Sequence, residues 1–165
     1  MNNRICFRFI AVAFLVVSLP LTTSCSHKKA KPDDDMAASR DSNMDLVSSD
    51  RGDAHGLTTV HFGFDSQLLD GAAKTEIKAN SEILKANPTL RVQIEGHCDS
   101  RGGIQYNIAL GEKRAMGVKH YLQDLGISSE RIDTISYGKE RPLDAAETEE
   151  AYAKNRRANF VVTKE

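Results

Sequence analysis

The stretch from Ile94 to Arg114, IEGHCDSRGGIQYNIALGEKR, constrains the fold more than any other part of the chain. An apolar alternation, Leu90, Val92, Ile94, stops at Glu95-Gly96. A polar, glycine-bearing turn follows from His97 to Gly103, and an amphipathic run begins at about Ile104. Strand, charged turn, helix is an order that leaves polar groups at the C-terminal edge of a sheet, where open α/β folds hold ligands. Within the helix, at about 100° per residue, Leu110, Val118, Tyr121, Leu122 and Leu125 share one arc. Arg114 falls near the centre of that arc, and Asn107 lies on the same line two turns earlier. A guanidinium on a core-facing stripe is costly unless it meets an anion. Two partners stay open for it, an internal carboxylate such as Asp99 or a carboxylate that a ligand brings.

The flanking segments read as regular elements. Thr58 to Phe64 alternates, with Val60, Phe62 and Phe64 on one side, and predicts a half-buried strand closed by Asp65-Ser66. Asp70 predicts a helix N-cap, with Ala73, Ile77, Asn80 and Leu84 at helical spacing to about Ala86 and a stop at Asn87-Pro88. The second strand covers Leu90 to Glu95, and Leu125-Gly126 caps the second helix. A third strand runs from Arg131 to Tyr137. A polar loop with Pro142 and the acidic residues Glu147, Glu149 and Glu150 leads to the last strand, Ala158 to Thr163. The order β-α-β-α-β-β with right-handed crossovers predicts a two-layer α/β (α+β) sandwich, a mixed sheet with the helices packed on one face. Phe64-Asp65 and Asp99 to Arg101 then meet at one edge of the sheet.

Ahead of this domain, residues 57–165, the chain carries an address and a tether. Arg4 and Arg8 form a basic start, and Phe9 to Leu21 is apolar but shorter than the roughly 20 residues that a membrane-crossing helix needs. Residues 1–24 therefore predict an export signal. The sequence Leu21-Thr22-Thr23-Ser24-Cys25 resembles a bacterial lipoprotein cleavage site, with Thr22 where leucine is usual. That resemblance implies lipid on Cys25, and Ser26 behind it implies sorting to the outer membrane. Cys6 would leave with the signal, so Cys98 stands alone and no internal disulfide is expected. Residues 25–56 are polar, with Lys28, Lys29 and Lys31 before Asp33-Asp34-Asp35, and read as a flexible linker.

Three kinds of chemistry compete for the turn. With 22 basic and 23 acidic residues, the net charge of −1 gives no basic field for nucleic acid. A binding module for a small zwitterion fits the residue types: Arg114 is a planar fork for a carboxylate, Asp99 accepts from an ammonium, and Arg101 with the backbone near Gly102-Gly103 adds donors. An enzyme built on His97, Cys98 and Asp99 fits poorly, because three consecutive side chains diverge and His55, His61 and His120 form no motif with the cysteine. His97 is read as a hydrogen-bonded turn residue and Cys98 as a small half-buried filler. No metal site, cofactor or catalytic residue is expected. An envelope protein-interaction domain with weak or no ligand binding is the third reading.

The motifs HFGFDS, VQIEGHCDSRGG, YNIALGEKRA, ISYGKERP and AYAKNRRANF, between about Val60 and Val162, resemble the OmpA-like peptidoglycan-binding domains. Together with the lipoprotein-like start, they resemble in particular the lipid-anchored outer-membrane branch that belongs to the Tol–Pal system. The resemblance implies a non-enzymatic periplasmic domain that holds the peptidoglycan stem peptide through its meso-diaminopimelate. It implies that Asp99 and Arg114 clamp the ammonium and carboxylate of that amino acid. Phe64, Asp65, Arg101, Gly103, Asn107 and Leu110 complete the implied ligand site, while Arg156-Arg157 is read as chiefly structural. The implied partners are peptidoglycan, the outer membrane through Cys25, and Tol proteins, TolB among them. Three positions depart from the pattern: Gly63 in place of an aspartate, Gly103 in place of a threonine, and Cys98 in place of a small residue.

If Cys25 carries the lipid, Cys25→Ser leaves unprocessed precursor or soluble protein. Membrane fractionation reads this directly, and normal fractionation of the variant would refute lipidation.

Overall fold

In the computed structural model, which describes residues 47–52 and 54–164, the apolar alternations and helical faces of the sequence close around one four-stranded sheet. The expected signal, Cys25 and the linker up to residue 46 lie outside the described residues. The elements are β1 (Val60–His61), α1 (Gly71–Ala86), β2 (Arg91–His97), α2 (Ile104–Asp124), β3 (Ile132–Gly138), α3 (Glu149–Asn155) and β4 (Arg157–Lys164). Asp70 caps α1 as its residue type predicts, its carboxylate accepting from the Ala73 N–H at 2.8 Å.

The strand order is β1-β4-β2-β3. β4 runs antiparallel to both β1 and β2, whereas β2 and β3 are parallel, so the sheet is mixed as expected. Ile94 sits beside Phe160 on one side and Thr134 on the other. Val92, Ile94, Ile132, Ala158, Phe160 and Val162 meet Ile77 and Leu84 of α1 and Val118 and Leu122 of α2 in a single core. That shared face is why the strands alternate at period two and the helices at 3.6.

Five readings of the sequence change. The first strand is two residues long, and Phe64 is 62% exposed instead of joining Val60 and Phe62 in the core. After the Phe62 N–H bonds to the Arg156 carbonyl, the chain turns out, and Asp65 takes a left-handed conformation at φ 51°. β2 continues past Glu95 to His97, because β3 and β4 pair with it on both edges. His97 is therefore a buried strand residue and not a turn residue. The acidic patch forms α3, with Thr148 accepting from the Ala151 N–H and Glu149 and Glu150 in the first turn, where carboxylates favour a helix. On α2 the buried line is Asn107, Gly111, Arg114, Ala115, Val118 and Leu122, which leaves Leu110, Tyr121 and Leu125 half-buried at its margins.

The fifth change concerns the linker, whose expected end at residue 56 falls inside the packed region. The Val162 N–H donates to the Val47 carbonyl, Ser48 bridges to Val161, and Ala54 and Leu57 are buried in the core. Asp50 pairs with Arg157 at 2.8 Å, and Asn159 accepts from Ser48, Ser49 and the Asp50 N–H. Polar side chains of β4 hold this segment, so its low apolar content is no measure of its order.

Two glycines set how close α2 lies to the sheet. A Cβ on Gly96 would stand 1.9 Å from the Gly111 carbonyl oxygen, and one on Gly111 would stand 2.3 Å from Ser136 Oγ. Gly96→Ala is expected to cost about 3 kcal/mol or more, since backbone must shift to admit it. Gly117, also in α2, has nothing within 4 Å of its would-be Cβ. Gly117→Ala is expected to add about 0.5–1 kcal/mol. Urea unfolding of the two variants checks both signs.

Candidate functional site

The ends of β1 and β2 bring two loops together over the first turns of α2. Phe64 and Asp65 come from the β1–α1 loop, Cys98, Asp99, Arg101 and Gly102 from the β2–α2 loop. Tyr106, Asn107, Leu110 and Arg114 come from α2, and Arg156 from the junction of α3 and β4. Together they line a cleft of about 200 Å³.

Arg114 is 1% exposed. Its Nε donates to the Ser66 carbonyl at 2.8 Å, Nη1 to the His97 carbonyl at 2.8 Å and Nη2 to the Gly63 carbonyl at 3.2 Å. The internal carboxylate pair that the sequence allows is not formed: among the described residues no carboxylate pairs with Arg114. Neutral carbonyls take its hydrogen bonds, and carboxylates act on its charge only from beyond ion-pair contact. Burial pulls its proton affinity down, and the nearby Cys98 and Asp99 oppose that. A guanidinium stays charged even so.

Asp99 pairs elsewhere. Its Oδ2 lies 2.6 Å from Arg101 Nη2 and 3.4 Å from Arg156 Nη1, and its Oδ1 accepts from the Arg101 N–H at 3.2 Å. Burial pushes the Asp99 carboxyl up, but the hydrogen bonds from Arg101 and Arg156 outweigh it and hold the group below its ordinary value. Arg101 is stacked between two rings, 4.1 Å from the centroid of Phe64 and 4.3 Å from that of Tyr152. This contact gives the exposed Phe64 a role at the mouth of the cleft.

Seven of the eight expected ligand residues line the cleft: Phe64, Asp65, Asp99, Arg101, Asn107, Leu110 and Arg114. Gly103 is displaced from it, because it serves as the N-cap of α2, its carbonyl accepting from Asn107 Nδ2. Gly102, at φ 83°, takes the place in the wall.

Two lining residues escape the sequence reading. Tyr106 donates its hydroxyl to Asp65, and that bond raises the phenol above its usual value. Its position four residues before Leu110, on the same helical stripe, was the available signal. Arg156 donates to the Phe62 carbonyl at 3.1 Å and pairs with Glu149 at 2.8 Å as well as Asp99. The arginine pair is thus split, with Arg157 bound to Asp50 away from the cleft. Side chains of neighbouring strand residues point to opposite faces, so two adjacent arginines entering a strand cannot both serve one side.

The histidine, cysteine and aspartate of the turn do not converge. His97 stacks at 5.6 Å on Tyr137, and Glu95 lies 3.6 Å from its Nε2. Burial holds His97 below its ordinary value against the pull of Glu95. Cys98 is buried, donates to the Asn107 carbonyl at 3.3 Å, and has its thiol pushed up by that burial. A raised thiol is the opposite of an activated nucleophile.

Residues 61–156 match the model of the OmpA family. The chain belongs to the OmpA family. The matched segment contains every residue that lines the cleft. The peptidoglycan-associated lipoprotein of Pasteurella multocida is 45% identical over 100 residues, covering 61% of this chain and 67% of that one. The peptidoglycan-associated lipoprotein of Legionella pneumophila is 32% identical over 166 residues, with 93% of this chain and 94% of that one covered. A crystal structure of the peptidoglycan-associated lipoprotein from Burkholderia pseudomallei superposes with a TM-score of 0.61 at 35% identity, covering 64% of this chain and 89% of that one. The resemblance drawn from the sequence motifs, to OmpA-like domains and their lipid-anchored branch, therefore holds. These relatives are named for an association with peptidoglycan and not for a reaction.

The lowered Asp99 group makes a pH prediction. A carboxyl depressed in the folded state contributes stability above its unfolded value and loses it as pH falls through the folded one. The melting advantage of wild type over Asp99→Asn should be constant above about pH 5 and shrink progressively as the pH falls below the ordinary aspartate value of about 3.9. Thermal melts at successive pH values measure it.

Proposed function

We propose that the chain is an outer-membrane lipoprotein of the Tol–Pal type that holds peptidoglycan non-covalently, through the diaminopimelate of the stem peptide. What supports this reading is a buried guanidinium, Arg114, with no carboxylate in ion-pair contact among the described residues, in one cleft with two carboxylates, Asp65 and Asp99. The free end of a peptide-bound diaminopimelate is a zwitterion, a carboxylate beside an ammonium. Its carboxylate balances the charge of Arg114, which three carbonyls already hold in position, so little side-chain entropy is lost on binding. Its ammonium is received by Asp99, ionised through its own arginine contacts, and by Asp65. Leu110 and the Phe64 ring offer apolar surface to the methylenes between the two ends. No bond is made or broken in this scheme, and the domain acts by binding alone.

The same reading gives the N-terminal part its purpose. Lipid on Cys25 anchors the chain in the outer membrane, and the domain faces the periplasm. Roughly 20 residues between Cys25 and the described region span at most about 70 Å, a reach that limits how far the wall can lie from the membrane. The names of the relatives support an envelope role. Contact with Tol proteins, TolB among them, is proposed on family resemblance.

Wild-type protein should co-sediment with diaminopimelate-type peptidoglycan. Asp99→Asn and Arg114→Lys should each weaken it by about ten- to a hundredfold, the loss of one charge-assisted hydrogen bond of about 1.5–3 kcal/mol. Lysine is chosen at 114 because alanine would orphan three carbonyls at once, that of His97 fully buried. Peptidoglycan with lysine at the diamino position lacks the carboxylate for Arg114 and should bind as weakly as the variants do. Equal recovery of folded variants and wild type would remove the clamp.

A further inference from the structure

A second depression, of about 370 Å³, lies against the cleft. Residues 65–68 of the β1–α1 loop form one wall, and Tyr106, Leu110 and Lys113 of α2 form the other. Those three helix residues follow at spacings of four and three, so they make one stripe, adjacent to the buried stripe that carries Asn107 and Arg114. Cleft and groove share Asp65, Tyr106 and Leu110, and the Tyr106–Asp65 hydrogen bond is the sill between them. Apolar surface is offered by Leu68, 76% exposed, and Tyr106, 56% exposed. Lys113 is the only cation lining the groove, and among the described residues it has no ion-pair partner.

We propose that this groove receives the peptide main chain that continues from the diamino acid in the cleft, with the α-carboxylate of its main-chain end on Lys113. The proposal rests on the diaminopimelate reading above and extends it from one amino acid to a peptide. Diaminopimelate has two amino-acid centres. With the free zwitterionic centre held by Arg114 and the aspartates, the other centre must leave the cleft over its rim. The rim at Asp65 and Tyr106 opens into the groove, and no chain break or movement of the fold is needed to follow it. From Leu110 to Lys113 the helix rises about 4.5 Å. The two centres of diaminopimelate are joined by three methylenes, which span about 5 Å when extended. The carboxylate of the main-chain centre is thus brought to Lys113 by a ligand whose other end sits beyond Leu110. Charge decides the direction, since a carboxylate suits Lys113 and the amide-linked nitrogen of the same centre carries none.

The test uses the intact protein in detergent and two synthetic tripeptides, L-alanyl-γ-D-glutamyl-meso-diaminopimelate with the main-chain α-carboxylate free or amidated. Isothermal titration should show wild type preferring the free carboxylate by about three- to fivefold, the size of a partly exposed ion pair, with the preference shrinking as salt is raised. Lys113→Gln should bind both peptides equally, at the affinity wild type has for the amide, and Lys113→Arg should restore the preference. Glutamine is a good helix former at an exposed helical position, so the fold is kept. If Lys113→Gln still prefers the free carboxylate as wild type does, or wild type shows no preference, the groove assignment fails while the clamp stands. If wild type binds neither tripeptide, the diaminopimelate reading fails, and the groove assignment with it.

Discussion

Arg114 joins three segments of chain at the edge of the sheet, beyond the apolar core that α2 shares with β1 and β2. Its guanidinium takes the carbonyls of Gly63 and Ser66 from the loop after β1 and of His97 from the end of β2, while its backbone lies in α2. The His97 carbonyl would otherwise be a buried acceptor near the edge of the sheet, and an unpaired one costs about as much as a lost hydrogen bond. The loop after β1 is short of regular structure, and Arg114 gives it a fixed place. The arginine therefore builds the wall of the cleft and supplies its charge in the same contact. Its hydrogen bonds are those of a structural residue, and its charge is what the proposed binding would use.

That contact depends on how low α2 lies. With Gly96 and Gly111 facing each other, helix and strand backbones come closer than any side chain would permit. The close approach is what lets a side chain from α2 reach the backbone of β2. β4 organises the other side by simple alternation. Arg156 turns toward Asp99 and Glu149, and Arg157 turns toward Asp50, which holds the residues after the linker against the sheet. The entry to β4 thus connects the cleft to residues 47–52, through Arg156 just before the strand and Arg157 at its first position.

What the sequence made legible follows from which forces write a periodic pattern. α1, with its Asp70 cap and its Ile77 and Leu84 face, was readable because apolar burial and capping are local signals. Asp99 and Arg114 were readable as chemistry, a charge on an apolar stripe and an acid in a turn, but their pairing was not. Asp99 has two closer guanidinium partners, one of them 57 residues away in the chain. Phe64 was placed in the core by alternation, and only the turn at Asp65 and the stack on Arg101 account for its exposure. α3 is too short to show a period, and its N-cap threonine was hidden among other polar residues. Residues 47–52 gave no signal because polar side chains on a distant strand order them. Long-range polar contacts leave no trace in local composition.

The arrangement of charge in the cleft also limits what can occupy it. Three arginines, Arg101, Arg114 and Arg156, face two aspartates, Asp65 and Asp99, with Glu149 beside the rim. A simple anion would satisfy Arg114 but would meet the carboxylates of Asp65 and Asp99, the latter only in part offset by Arg101 and Arg156. A simple cation would meet the aspartates but would be repelled by Arg114, which has no carboxylate in ion-pair contact among the described residues. The ligand proposed above carries both signs on neighbouring groups and so offers a partner to each set. Asp99 can receive an ammonium while keeping Arg101, since a carboxylate has about four acceptor positions. Discrimination then comes from the penalty on each half-ligand as much as from the attraction for the whole one.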